Sequence, residues 1–221
     1  MFHINGRLGL FLLLSLFLQQ VVFAQQNSDE NGTENEQKTL TEQGLEHWYK
    51  GDFVTAIDVL IKADEAGEIN GSIALSKLYH FSSEFELALP LLQKAEAAED
   101  QESMLVLVEY YEKGLGMEKP DAEKARSILD KLLLLNYTPA LMFKAEALGN
   151  GRLSFEKDIT VSYQQLQKLA EDKYLPAMKK MYNTYLHGVP GIAADRVQAN
   201  FWRQQLQEIE KKNQEVISDK Y

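Results

Sequence analysis

Beyond the first two dozen residues, His47, His80 and His187 are the only imidazoles, the groups best suited to bind a metal or move a proton near neutral pH. None has a second histidine at the helical spacing that metal-binding motifs use. The chain contains no cysteine, which excludes thiolate nucleophiles, disulfide frameworks and sulfur-ligated zinc. No serine lies in the strand–turn–helix setting of a nucleophile elbow. Gly114-Leu115-Gly116 resembles part of a dinucleotide loop, but it follows a helical pattern rather than a strand and lacks the third glycine, so it reads as a helix-ending turn. Glu96, Glu99 and Asp100 could attract a cation, yet an acidic run at a helix end reads as solvated surface. No catalytic residue, metal site or cofactor is assigned. Asp and Glu outnumber Lys and Arg by 33 to 23, a formal charge of −10 that opposes binding to nucleic acid and to anionic membranes.

The elements that position these side chains begin after a distinct N-terminal segment. Residues 1–24 carry one charged side chain, Arg7, then an apolar run from Leu8 to Leu18 and a Val22-Phe23-Ala24 end. This is the pattern of a secretory signal peptide cleaved after Ala24, and the run is too short to span a bilayer. Cleavage would leave a charge of −11 and a chain exported to the periplasm or secreted, with no transmembrane segment. Residues 25–38 hold four acids, Asp29, Glu30, Glu34 and Glu36, and no large apolar side chain, so they read as a disordered polar leader.

From Thr39 the sequence repeats, and the period decides the fold class. Gly44, His47, Ala56, Leu60 and Ala63 return 32 residues later as Ser76, Tyr79, Ala88, Leu92 and Ala95. A 37-residue step then aligns Gly114, Gly151 and Gly188; Asp121, Asp158 and Asp195; Ala125, Ser162 and Ala199; and Leu132, Leu169 and Leu206. The longer units carry five extra residues between the aromatic position and the alanine. Each unit reads as two helices joined by a turn: glycine ends the first helix, and aspartate caps the second. Thr39 with Glu42, and Ser83 with Glu86, have capping-box spacing. His47, at the aromatic position of unit one, reads as a packing residue. Pro90 falls inside the second helix of unit two, where it should weaken or kink that helix. No unit can bury its apolar face alone, so stacking is obligatory.

The small and aromatic positions of the early units resemble the tetratricopeptide pattern. The longer units, above all Gly114-Leu115-Gly116-Met117 with Asp121 and Ala125, resemble the Sel1-like repeat, as does Trp202 three residues after Ala199. The resemblance implies an all-α, right-handed solenoid of about five helix-turn-helix repeats over residues 39–210, with residues 211–221 as a helix end and tail. It further implies a groove, lined by the first helix of each unit, that binds a protein or peptide. By register the groove positions hold Leu45, Trp48 and Tyr49 in unit one, Lys77, His80 and Phe81 in unit two, and Glu109, Glu112, Glu146, Asn183 and His187 beyond. The acids farther along the groove would favour partners with basic flanks. The function expected is a non-catalytic, exported adaptor, in keeping with a Gram-negative envelope. The alternatives are a hydrolase like the β-lactam-processing, cysteine-rich branch of the repeat family, which the absence of cysteine opposes, and a structural subunit of an envelope assembly.

Overall fold

The computed structural model describes residues 38–218, and among them ten helices succeed one another with no strand between. They pair as α1 (Leu40–Tyr49) with α2 (Phe53–Glu65), α3 (Ile69–Phe81) with α4 (Phe85–Ala97), α5 (Gln101–Lys113) with α6 (Ala122–Leu134), α7 (Thr138–Asn150) with α8 (Ile159–Glu171), and α9 (Leu175–His187) with α10 (Arg196–Ser218). Each second helix also packs on the first helix of the next unit, which makes the array an all-α solenoid. Apart from the shorter α1 and the longer α10, every helix has 13 residues, a rod of about 20 Å. α4 is unbroken through Pro90, which is exposed, so the expected disruption of unit two does not occur.

One backbone bond closes every turn within a unit. The amide preceding each second helix donates to the carbonyl of the aromatic position: Asp52 to His47, Glu84 to Tyr79, Asp121 to Tyr111, Asp158 to Leu148 and Asp195 to Tyr185, at 2.7–3.1 Å. Loop length can therefore change while the helix pair keeps its geometry. Between units, a second bond recurs from Glu68 to Ala63, Asp100 to Ala95, Tyr137 to Leu132 and Tyr174 to Leu169. The residue before each of these donors is left-handed: Gly67, Glu99, Asn136 and Lys173. Glu99 is thus a turn residue and Asp100 an N-cap that accepts from Ser103 N at 2.8 Å, so these acids of the sequence serve the backbone.

Capping follows the aspartates. Asp121, Asp158 and Asp195 accept from the amides of Lys124, Val161 and Gln198, and Asp52 does the same for Thr55. Thr39 and Glu42 form the reciprocal capping box. Ser83 does not: it is left-handed at φ 65°, the N-cap of α4 is Glu84, and no side chain bonds that helix end. His47 also departs from its expected place, since it is partly exposed and its Nδ1 lies 3.1 Å from Asp52 Oδ2.

Glu68 caps a helix other than its own. It stands at the N-cap of α3, yet its carboxylate accepts from Leu40 N, Thr41 N and Thr41 Oγ1 at the start of α1. The Thr41 hydroxyl above all, aided by the two amides, holds its pKa below the ordinary carboxylate value against the opposing effect of burial, which exceeds that of either amide. A depressed carboxylate contributes stability above its unfolded pKa, roughly 4.3, and loses that contribution as pH falls through the folded value. Glu68→Ala should therefore cost about 1 kcal/mol at pH 7 in a urea melt, the usual worth of a cap, and flatten the fall of stability below pH 5. Equal wild-type and variant midpoints at pH 7 would refute the cap.

The core is built from the repeated small and large positions. Ala56, Ala63, Ala88, Ala95 and Ala125 are fully buried, with Leu60, Leu92, Leu129 and Leu166 between them. A Cβ on Gly44 would stand 2.6 Å from Leu60 Cγ, and one on Gly149 would stand 2.6 Å from Ser162 Oγ, so these helix pairs touch at glycine. A further small position, Gly71, Ser103, Ala140 and Ala177, is buried at the start of the first helices. The Ser103 hydroxyl there has no hydrogen-bond partner. The apolar core divides at α7. Ala140 belongs to a cluster built on α4, α5 and α6, and Ala145 to one built on α8, α9 and Trp202 of α10. The buried side chains of α7 are all alanines, and its contact with α6 is the sparsest between neighbouring units.

Candidate functional site

The first helices of successive units lie in one layer, and charged side chains stitch them together. Lys77 on α3 meets Glu102 on α5 at 3.1 Å. Arg152, just past α7, clasps Glu112 of α5 with two bonds: Nε donates to Oε1 at 2.7 Å, and Nη2 to Oε2. Lys180 on α9 meets Glu146 on α7 at 2.9 Å. Glu109 is paired with Lys113 one turn along its own helix. Each of the three acids assigned to the groove thus has a cation of the same chain. Their charge is therefore already balanced within the chain. Lys77 is also engaged, with its side chain 13% exposed. Asn183 and His187, on α9, are exposed.

Aromatic side chains dominate the first two units. His80 Nδ1 lies 2.9 Å from the Tyr110 hydroxyl, and Phe85 stands edge-on to both rings. Burial lowers the His80 pKa, outweighing the nearby Glu109 carboxylate, so the imidazole is neutral at pH 7. Burial likewise raises the Tyr110 hydroxyl far above the ordinary phenol value. This pair is a packed hydrogen bond between neutral groups. Phe81, by contrast, is 57% exposed and stacks on Phe53, with centroids 6.4 Å apart. Trp48 is half-buried and Tyr49 exposed in the last turn of α1, whereas Leu45 is buried in the core.

Sequence reasoning did not single out Phe53, although the 32-residue step pairs it with Phe85. It also missed Glu102, Arg152 and Lys180, because none of their partners stands at a repeat period. Among the described residues, no group of three or more His, Asp or Glu side chains is placed to hold a metal, and no helix is long and apolar enough to cross a membrane.

No protein-family model matches the sequence, and no curated protein matches it. Among solved structures, the chain is similar to a Sel1 repeat protein from Oxalobacter formigenes, with 19% identity over 77% of this chain and 72% of that one, at a TM-score of 0.57. It is also similar to a protective antigen of uropathogenic Escherichia coli strains that displays an SLR fold, with 21% identity over 76% of this chain and a TM-score of 0.53. The chain spans 38% of that antigen. Paired helices stacked in register, with such neighbours, define an all-α solenoid with the Sel1-like repeat fold.

Proposed function

We propose that this chain is an exported, non-catalytic interaction scaffold that holds a polypeptide partner on its first two units. The observation that carries the reading is the contrast along the array. Three of the four exposed aromatics among the described residues, Tyr49, Phe53 and Phe81, lie in units one and two, the fourth being Phe201 on α10, while Glu109, Glu112 and Glu146 of the later first helices are each paired with a cation of the chain. Large aromatic side chains bury much area for little lost rotamer freedom, which makes them common anchors for a partner. Trp48, Tyr49, His80 and Phe81 are the residues assigned to this role, with Lys77 and its Glu102 partner at their edge.

The partner is to be identified by cross-linking in the native envelope, and then purified. Trp48→Ala combined with Phe81→Ala should leave the helical signal intact and weaken binding of that partner by at least about 30-fold, the equivalent of about 2 kcal/mol for a binding anchor. Full binding by the folded double variant would move the site to other units. Export itself is tested separately, since N-terminal sequencing of the native protein should begin at Gln25. A chain starting at Met1 and sedimenting with membranes would refute export.

A further inference from the structure

The three long loops all lean backward along the array. In unit three, the backbone of Gly116 lies against that of Phe85, the first residue of α4; a Cβ there would stand 2.4 Å from the Phe85 carbonyl oxygen. In unit four, Arg126 of α6 donates through Nη1 to the Leu153 carbonyl at 3.3 Å, and its guanidinium lies 3.9 Å from the Phe155 ring centroid. In unit five, a Cβ on Gly191 would stand 3.7 Å from Cγ2 of Ile159, the first residue of α8. Each long loop roofs the opening of the second helix one unit earlier.

Unit two has only the short turn of residues 82–84, so the opening of α2 has no such roof. Phe53 begins α2 as Phe85 begins α4, 32 residues later. Phe85 is half-buried, enclosed by His80, Tyr110 and the Gly116 loop. Phe53 is 45% exposed, and Val54 beside it is 75% exposed. Resting on the scaffold reading above, we propose that this bare rim of Phe53, Val54 and Phe81 receives a turn-forming loop of a partner protein, taking the place that the chain's own loops take in the later units. Those loops specify its chemistry. In unit three, Leu115 and Met117 pack on the core around a left-handed Gly116, so the occupant presents an aliphatic or thioether side chain beside a glycine. The exposed Asp52, the N-cap just before Phe53, and the exposed Glu84, three residues after Phe81, favour lysine or arginine on the flanks.

The probe is Lys-Gly-Leu-Gly-Met-Glu-Lys, the sequence of residues 113–119, cyclised head to tail and titrated into the isotope-labelled chain of residues 25–221. Amide shifts should gather at residues 49–55 and 80–86. Phe53→Ala and Phe81→Lys should each weaken binding at least about tenfold. Phe81→Lys installs the residue that unit three carries at its equivalent, Lys113, which keeps the variant within the repeat's own pattern. Replacing residues 82–84 with residues 114–121 should roof the rim from within and abolish peptide binding; should that graft not fold, the two point variants decide. Shifts confined to the paired ions of α5, α7 and α9, or no shifts at all, would overturn the rim while leaving the scaffold reading to its own partner-binding test. Concentration-dependent shifts at the rim without peptide would assign it to a second copy of the chain, and so overturn the partner loop.

Discussion

Gly116→Ala should destabilise the protein by about 2–5 kcal/mol, read as a lowered urea midpoint. Two effects add. The residue is left-handed at φ 69°, a conformation that costs alanine roughly 1–2 kcal/mol. The added Cβ would also stand 2.4 Å from the Phe85 carbonyl oxygen and 2.7 Å from its carbon, both backbone atoms, so the loop must lift at an overpacking cost of roughly 1–3 kcal/mol. Gly51→Ala supplies the control: its φ is 79°, but nothing lies within 4 Å of the new Cβ. That variant should lose about 1 kcal/mol, the conformational part alone. Equal losses at the two sites would show that the loop of unit three does not rest on α4.

Joint removal of Arg126 and Arg152 should divide unfolding into two steps. The helices α6 and α7 make the sparsest contact between neighbouring units, and these two guanidinium groups span that junction. Arg152 clasps Glu112, whose side chain is only 14% exposed, and lies 5.0 Å from the Phe143 ring centroid. Arg152→Ala alone should cost about 2 kcal/mol, between the small worth of an exposed pair and the larger penalty of orphaning a buried charge. Stability in a stacked array depends on the contacts between neighbours, so weakening one junction in two places lets the halves melt apart. Calorimetry of Arg126→Ala with Arg152→Ala should show two transitions where the wild type shows one. A single transition at the wild-type midpoint would refute the arginine seam.

The residues that revealed the repeat are those whose backbone or volume admits few substitutes. Gly114 ends α5 in the left-handed region, Asp121 caps α6, and Ala125 is fully buried where two helices meet. Such positions carry their reason in their identity. The turns between units were harder to read, because their left-handed residue is Gly67 once and then Glu99, Asn136 and Lys173. Position in the register, rather than residue type, marks them. The charges of the inner layer were misread for a related reason. The pairing of Glu112 was not legible because its partner, Arg152, lies 40 residues away. Lys77 and Glu102 are 25 apart, again off both periods, so their pairing depends on how the helices stack. Ser83 and Glu86 had capping-box spacing, but the chain enters α4 one residue later, from Glu84.

The backward lean of the long loops gives the array a direction in time as well as in space. Synthesis runs from the N-terminus, so α4 emerges before residues 114–121 that cover its start, α6 before the loop carrying Leu153, and α8 before Gly191. Units two, three and four of a nascent chain are therefore each covered only when the next unit arrives, whereas unit one, followed by a short turn, gains no such cover. Truncation is unequal in the same sense: a fragment stopping at Lys113 leaves Phe85 without the Gly116 loop, whereas one starting at Gln101 keeps the loops of units four and five on α6 and α8 and loses only the contact of Gly116 with α4. Growth of such an array by adding units at its C-terminus shields what was already there, while loss from that end exposes it.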